Sequence, residues 1–342
     1  MVALPSSIAH AYGLVGEATR FGTGLINDTF QVQRGAETLI VQRVHPIFGA
    51  SVHEDIEAVT NHLARKEIVT PRLLRTLDGA LFSLDEEGRV WRALTFIDGT
   101  SYDRFPSIAH AREAGALVGR FHAALQDFDH TYVFARGGVH DISFRENGLE
   151  QPLATHPGHR LRAEVLTLID ATRRLLGRAV RLGTQRPRHA HGDLKASNLL
   201  FRGQAALALV DLDTMASMMW IFEMGDALRS WCNPCVEEDP SSRIDIPAFE
   251  AALSGYASTG PRVTSDERAT LARGVLTISL ELALRFLTDT LNETYFGFDP
   301  TRYPARGEHN LARARAQVAF AESVERELPR LEKIARSVLL TS

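Results

Sequence analysis

The chain has 342 residues, 44% of them hydrophobic and 23% charged, with a formal net charge of −4 at pH 7. That length suits two lobes with separate cores, and the acidic balance lacks the basic footprint of a nucleic-acid or anionic-membrane partner. No basic segment precedes an apolar core at the N-terminus, and Arg273, Glu281 and Arg285 interrupt the apolar run Leu271 to Leu287, so neither a signal peptide nor a membrane span is expected and the chain reads as cytoplasmic.

In chain order, residues 11 to about 98 read mostly as strands. Phe30 to Gln33 alternate, Thr38 to Val44 is β-branched, and Leu81 to Leu84 and Val90 to Ile97 follow, separated by Gly22-Thr23-Gly24, Arg34-Gly35, Asp78-Gly79 and Glu87-Gly88. One helix interrupts, Val52 to Lys66, with Val52, Ile56, Val59 and Leu63 at helical spacing. After Phe96 to Gly99 the period changes. Ala109 to Leu125, Leu161 to Leu176, Ile246 to Tyr256, Ser265 to Leu291 and Ala312 to Leu340 all read as helices. The pattern predicts an α+β chain with a strand-rich lobe over 1–98 and a mainly helical lobe over 99–342.

The chemistry concentrates in HAHGDLKASNLLFRGQAALALVDLDTM, residues 189 to 215. Phosphoryl transfer from ATP needs a carboxylate to take the proton of the attacking hydroxyl, oxygen ligands for Mg²⁺, and positive charge against the phosphates. Kinase catalytic loops provide an Asp and an Asn with four residues between them, then a metal-binding Asp after the next hairpin. Asp193 and Asn198 have that spacing. Leu199 to Phe201 and Ala206 to Val210 read as the hairpin, Arg202-Gly203 as its turn, and Asp211 stands at its end with Asp213 two residues on. A solvated loop would explain single aspartates, but not the order, spacing and intervening strands together.

Cys232 and Cys235 spell CxxC, as redox sites do, yet they follow a helical segment (FEMGDALRS) with no βαβ unit before them. Two reduced thiols in a loop are expected.

The chain resembles the aminoglycoside phosphotransferase/choline kinase superfamily, and within it the N-acetylhexosamine 1-kinases. The likeness runs through GLINDTFQV, LIVQRVHPIF, DIEAVTNHL, WRALTFIDGT, HGDLKASNLLF, VDLDTM, MGDALRS and LRFLTDTLNETYFG…HNLARARAQ, and the last segment points to the hexosamine branch. The resemblance implies a protein-kinase-like two-lobe fold with the active site between the lobes. It also implies ATP and Mg²⁺ as cofactors, and a small-molecule sugar acceptor phosphorylated at its anomeric hydroxyl. Asp193 would then be the catalytic base and His191 a brace for its loop. Asn198 and Asp211 would ligate Mg²⁺, with Asp213 a second ligand or a substrate contact. Asp226 would either hold the loop through backbone amides or serve as a plain helix carboxylate. Gly22 and Gly24 would cover the phosphates. Arg43 stands where kinases place a lysine, with Glu54 or Glu57 as its expected partner, and Thr95, Phe96, Ile97 and Asp98 would read adenine through backbone groups.

Glu281, Arg285 and Asp289 recur every four residues, the spacing of an ion-pair ladder. In the resembled kinases this segment lines the sugar site, which makes Arg285 and Tyr295 the sugar contacts, with Asn27 and Arg229 as further ones. Aminoglycosides, choline or ethanolamine, and homoserine are the alternative acceptors. A non-catalytic nucleotide-binding protein is the alternative from another class. The oligomeric state is not legible.

Overall fold

A computed structural model describes every residue except 1, 16, 23–25, 135, 136, 184, 341 and 342. The chain divides into two compact units. The first comprises Met1–Gly99 and two later segments, Asp127–Ala135 and Ala208–Met215, which a division into two contiguous stretches did not include. The remainder forms the second.

The first unit is built on β1 (Thr19–Arg20), β2 (Asp28–Arg34), β3 (Glu37–Arg43), β4 (Leu73–Leu74), β5 (Ser83–Leu84) and β6 (Val90–Thr95), with helices α1 (Ser6–Ala11) and α2 (Val52–Arg65). All strand pairs are antiparallel, in the order β1-β2-β3-β6-β4, with β5 also on β6. Arg34 pairs with Glu37, so the β2–β3 hairpin closes over two residues, and Gly35 takes the left-handed φ of +61° this tight turn requires. Alternation then sends Phe30 and Val32 of β2, Leu39 and Val41 of β3, and Trp91 and Ala93 of β6 into one core, which Ile8 of α1 and Tyr12 just after that helix close. Burying each of the larger side chains contributes about 1.5–3 kcal/mol. From α2, the buried Asp55 accepts the Val133 and Phe134 N–H groups at 2.9 and 2.8 Å, and His130 Nε2 lies 2.8 Å from it. These bonds attach the segment 127–135 to the first unit.

The second unit is helical: α3 (Ile108–Ala124), α4 (Ile142–Gly148), α5 (Glu150–Thr155), α6 (Arg162–Leu176), α7 (Trp220–Trp231), α8 (Ile246–Thr259), α9 (Ser265–Asn292) and α10 (Arg306–Val338). Strand β7 (Pro187–Ala190) pairs with β10 (Ala216–Met219), and β8 (Leu199–Arg202) with β9 (Ala205–Leu209). Helix α9, roughly 42 Å long at 1.5 Å per residue, begins in a capping box. Thr264 Oγ1 accepts the Glu267 N–H and Glu267 Oε2 accepts the Thr264 N–H. It crosses α7 at two glycines. A Cβ on Gly225 would lie 2.9 Å from the carbonyl of Gly274, and one on Gly274 would lie 2.5 Å from the Ile221 carbonyl oxygen. Only glycine permits that approach. No described helix is long and apolar enough to cross a membrane.

The expected α+β architecture is the one observed. The long helices and the central strands fall where periodicity placed them. Helices α1, α4 and α5, six or seven residues each, are too short for a periodic signal and were not anticipated.

Candidate active site

In the second unit, β7 ends at Ala190 and the chain turns through Gly192, whose φ is +81°. A helix holds that turn. Glu223 of α7 accepts the N–H groups of His191 and Gly192 at 2.7 and 2.9 Å, and Ser230 Oγ accepts the Ala196 N–H at 2.9 Å. The role of fastening the loop through backbone amides therefore belongs to Glu223 rather than Asp226. Asp226 pairs with Arg229 instead, Nη2 to Oδ1 at 2.8 Å. The sequence carried a weak signal for this: Glu223 lies one helical turn before Asp226, on the same face. His191 is fully buried under the loop it starts.

Glu223 is itself secured. His122 Nε2 lies 3.4 Å from its Oε1, and the other ring nitrogen lies 3.0 Å from the Tyr256 hydroxyl, which accepts the Trp220 indole N–H at 2.8 Å. Burial alone would raise the Glu223 carboxyl, but His122, then His191 and the Gly192 N–H, outweigh it and hold the group below its ordinary value.

Asp193 is similarly held anionic. Burial opposes ionisation, and Lys195, His191 and Arg229 overcome it. Lys195 Nζ donates to Asp193 Oδ2 at 2.7 Å, and Asn198 Nδ2 donates to the same oxygen at 3.0 Å and to the Asp193 carbonyl at 2.9 Å. Lys195 is a site residue that the sequence reading did not single out, although it lies two residues from Asp193. With its amide nitrogen committed to Asp193, Asn198 presents its carbonyl Oδ1 as the atom suited to a hard cation.

The stripe on α9 forms only the first rung of an ion-pair ladder, Glu281 with Arg285. Arg285 Nη1 is 3.8 Å from Glu281, whose other oxygen takes Arg145 Nε at 2.8 Å. Burial lowers Arg285, but Glu281, Tyr295, Asp193 and Asp226 together outweigh it and raise its pKa, so the guanidinium stands in the field of the Asp193 carboxylate. It also lies over the Phe296 ring, 5.4 Å from the centroid. Asp289 turns away from Arg285 and organises the loop after the helix. It accepts the N–H groups of Thr294, Tyr295 and Phe296 at 2.7 to 2.9 Å and the Asn310 amide at 2.9 Å. Tyr295 and Phe296, edge to face at 4.7 Å, are set by that carboxylate.

The first unit carries the remaining expected residues. Gly22 has φ +75°, and its neighbour Phe21 packs edge-on against Phe96 at 5.9 Å. Gly24 lies outside the described residues. The ladder of β6 ends at Thr95, so Phe96, Ile97 and Asp98 continue past it. Arg43 does not pair with Glu54 or Glu57. Its partner is Asp28, directly across the hairpin register, and Glu57 binds Arg75 at 2.6 Å. A cross-strand neighbour is reached at no cost in chain entropy, which a helix glutamate cannot match.

Asp213 and Asn27 are also engaged structurally. Both oxygens of the buried Asp213 bind the Arg92 guanidinium, Nη2 at 2.9 Å, and Asn27 Nδ2 donates to Oδ2 at 2.7 Å. Asn27 Oδ1 accepts the His45 N–H at 2.9 Å. Burial would raise Asp213; Arg92 and Asn27 hold it down. Both oxygens already carry donors, so an Mg²⁺ or substrate contact at Asp213 or Asn27 would compete with these bonds. Replacing Arg92 with Leu is expected to cost about 3–5 kcal/mol, because it leaves Asp213 charged, buried and unpaired. Denaturant unfolding measures this, and a loss under about 1 kcal/mol would strengthen Asp213 as a ligand candidate. Asp211 is different: exposed, with a left-handed φ of +65°, a conformation that aspartate tolerates and that concentrates at functional positions.

The thiols fit the reduced-loop expectation. Cys232 caps the C-terminal end of α7, and burial raises its pKa well above the ordinary thiol value, the reverse of a reactive thiolate.

A family model, the phosphotransferase enzyme family (APH), matches residues 17–256. The chain belongs to that family. This phosphotransferase is 29% identical over 232 residues to a homoserine kinase of Acidiphilium cryptum, covering 67% of this chain and 66% of that one. It is 28% identical over 244 residues to a homoserine kinase of Methylocella silvestris, covering 69% and 68%. The alignments thus span about two-thirds of the relatives' length. Among solved structures it is similar to a microcompartment-associated aminopropanol kinase, with TM-score 0.64, 17% identity and coverage of 94% and 96%. An amicoumacin kinase in complex with AMP-PNP and Ca²⁺ gives TM-score 0.62, 17% identity and coverage of 91% and 90%. At these identities the structures establish the shared fold. ATP with Mg²⁺ is the donor pair that goes with a phosphotransferase of this family.

Proposed function

We propose that this phosphotransferase moves the γ-phosphoryl group of ATP to a hydroxyl of a small acceptor, an N-acetylhexosamine at its anomeric oxygen. The observation that carries the reading is Asp193: an ionised carboxylate on a loop fastened by Glu223, with Lys195 and Asn198 on one of its oxygens. Asp193 takes the proton of the attacking hydroxyl as the new bond to phosphorus forms. Lys195 faces the developing phosphate charge. Arg43, with donors to spare beyond Asp28, contacts the phosphates beneath the Gly22 turn, and Thr95 to Asp98 meet the base through backbone groups.

Asn198 Oδ1 of the second unit would hold Mg²⁺, which when bound neutralises phosphate charge, and the Asp211 carboxylate of the first unit offers the same donor chemistry. Both are hard oxygen donors and fit the ion. Among the described residues no cluster of three or more His, Cys, Asp or Glu side chains is assembled. Mg²⁺ bound to nucleotide phosphates needs only one or two protein oxygens.

The sugar assignment is supported by Arg285, Tyr295 and Phe296, a cation beside two aromatic rings in the field of Asp193. Aromatic faces suit the C–H surface of a pyranose, and a guanidinium suits its hydroxyl and carbonyl oxygens. The names of the curated relatives favour homoserine as a second reading. ADP release with Mg²⁺-ATP across N-acetylglucosamine, N-acetylgalactosamine, glucose and homoserine separates the two. Selective turnover of an N-acetylhexosamine is expected; selective turnover of homoserine would replace the sugar reading and leave Asp193 in its role.

A further inference from the structure

One carboxylate oxygen on α7 has no explanation so far. Asp226 is nine-tenths buried; its Oδ1 accepts Arg229, and its Oδ2 is buried with no hydrogen-bond partner. A buried carboxylate oxygen without a donor is costly and uncommon, and calls for a donor that arrives from elsewhere.

The position of Asp226 says where that donor arrives. Glu223 and Ser230 of the same helix bind the amides of residues 191, 192 and 196. Residues 223, 226 and 230 are spaced i, i+3 and i+7, so Asp226 lies on the helix face that carries the catalytic loop, between its two fastenings. Arg229 contributes to holding Asp193 ionised, and Asp193 and Asp226 both act on Arg285. Asp226 Oδ2 thus lies without a donor on the helix face that carries the Asp193 loop, and Arg285, paired with Glu281 at 3.8 Å, is the cation on which both carboxylates act.

We propose that Asp226 Oδ2 is the specificity-determining contact for the acceptor, accepting the amide N–H of the acetamido group while Arg285 donates to an acceptor oxygen. This rests on the N-acetylhexosamine reading and extends it. An acetamido group carries a donor and an acceptor in fixed geometry, which matches a carboxylate and a guanidinium held in one field. Asp226 acts on recognition, and Asp193 on the proton.

The test compares N-acetylglucosamine with 2-O-acetylglucose, which keeps the carbonyl and loses only the N–H. The wild-type enzyme is expected to prefer the amide in kcat/KM by roughly tenfold to a hundredfold, the loss expected for one charged hydrogen bond. In Asp226→Asn the new amide oxygen goes to Arg229 and its NH₂ faces the substrate, so a donor meets the N–H and can serve the ester oxygen instead. That preference should then fall to one or reverse, with KM for N-acetylglucosamine raised about tenfold or more, while KM for ATP and the Tm stay near wild type. Equal use of amide and ester by the wild-type enzyme overturns the contact, a result that does not depend on the variant folding. A variant that loses ATP affinity, kcat and Tm together, with its amide preference intact, also overturns it. Absence of any N-acetylglucosamine turnover by the wild-type enzyme fails the acceptor reading itself, and the contact falls with it.

Discussion

Asp193→Asn is expected to lower kcat by about two to four orders of magnitude, the range that a positioned general base contributes. The substitution is nearly isosteric, so the loop and its fastening to Glu223 persist, and the nucleotide contacts proposed on Arg43 and Thr95 to Asp98 are untouched. ATP affinity should therefore stay within about threefold while turnover collapses. The same carboxylate sets a pH dependence. Lys195, His191 and Arg229 keep its folded pKa below the usual carboxylate range against the pull of burial, so the base is already ionised at neutral pH. Protonation removes it as pH falls through that depressed value, and the acid limb of the kcat profile should lie correspondingly low. A variant that kept a tenth of wild-type turnover would remove Asp193 from the role.

Glu223→Ala should damage both folding and activity without touching substrate. The deletion strands two buried backbone donors, His191 and Gly192 N–H, and leaves His122 facing a void. Removing one partner of a buried charged network costs about 3–5 kcal/mol. Glu223→Gln retains one acceptor oxygen and should fall between. Tm and kcat measured on both variants check the order, and a Glu223→Ala protein with wild-type kcat would show that the loop keeps its shape without this fastening. The acid side supplies an independent readout. The folded pKa of Glu223 lies below its unfolded value, so its stabilisation is complete above the unfolded pKa, about 4.3, and is lost as pH falls through the folded one. Glu223→Gln should flatten that part of the Tm profile.

The contrast between Asp226 and Glu223 marks what the chain made legible. Local spacing pointed to Asp193, Asn198 and Asp211 as candidates, because a loop and the hairpin after it are read along one stretch of sequence. Helical period located α9 and with it Arg285. Partners distant in sequence were not legible: Arg92 with Asp213 and Glu223 with the loop amides are tertiary choices, and each has an equally plausible competitor nearby. Arg43 shows the limit most plainly. Kinase analogy pointed to a helix glutamate, while strand register supplied Asp28 at once.

The first unit has a consequence for synthesis. Its sheet residue Arg92 is buried against a carboxylate 121 positions later, and α2 captures residues 130–134 through Asp55. At about 5–20 residues per second, a ribosome needs roughly 6 to 24 seconds to deliver Asp213 after Arg92. During that interval the guanidinium has Gln42 of β3 as a neutral partner but no counter-charge. Release of a polypeptide ending near residue 100 should give an aggregation-prone product, and co-expressing the two halves split at that point should rescue it only by supplying the missing pieces in trans.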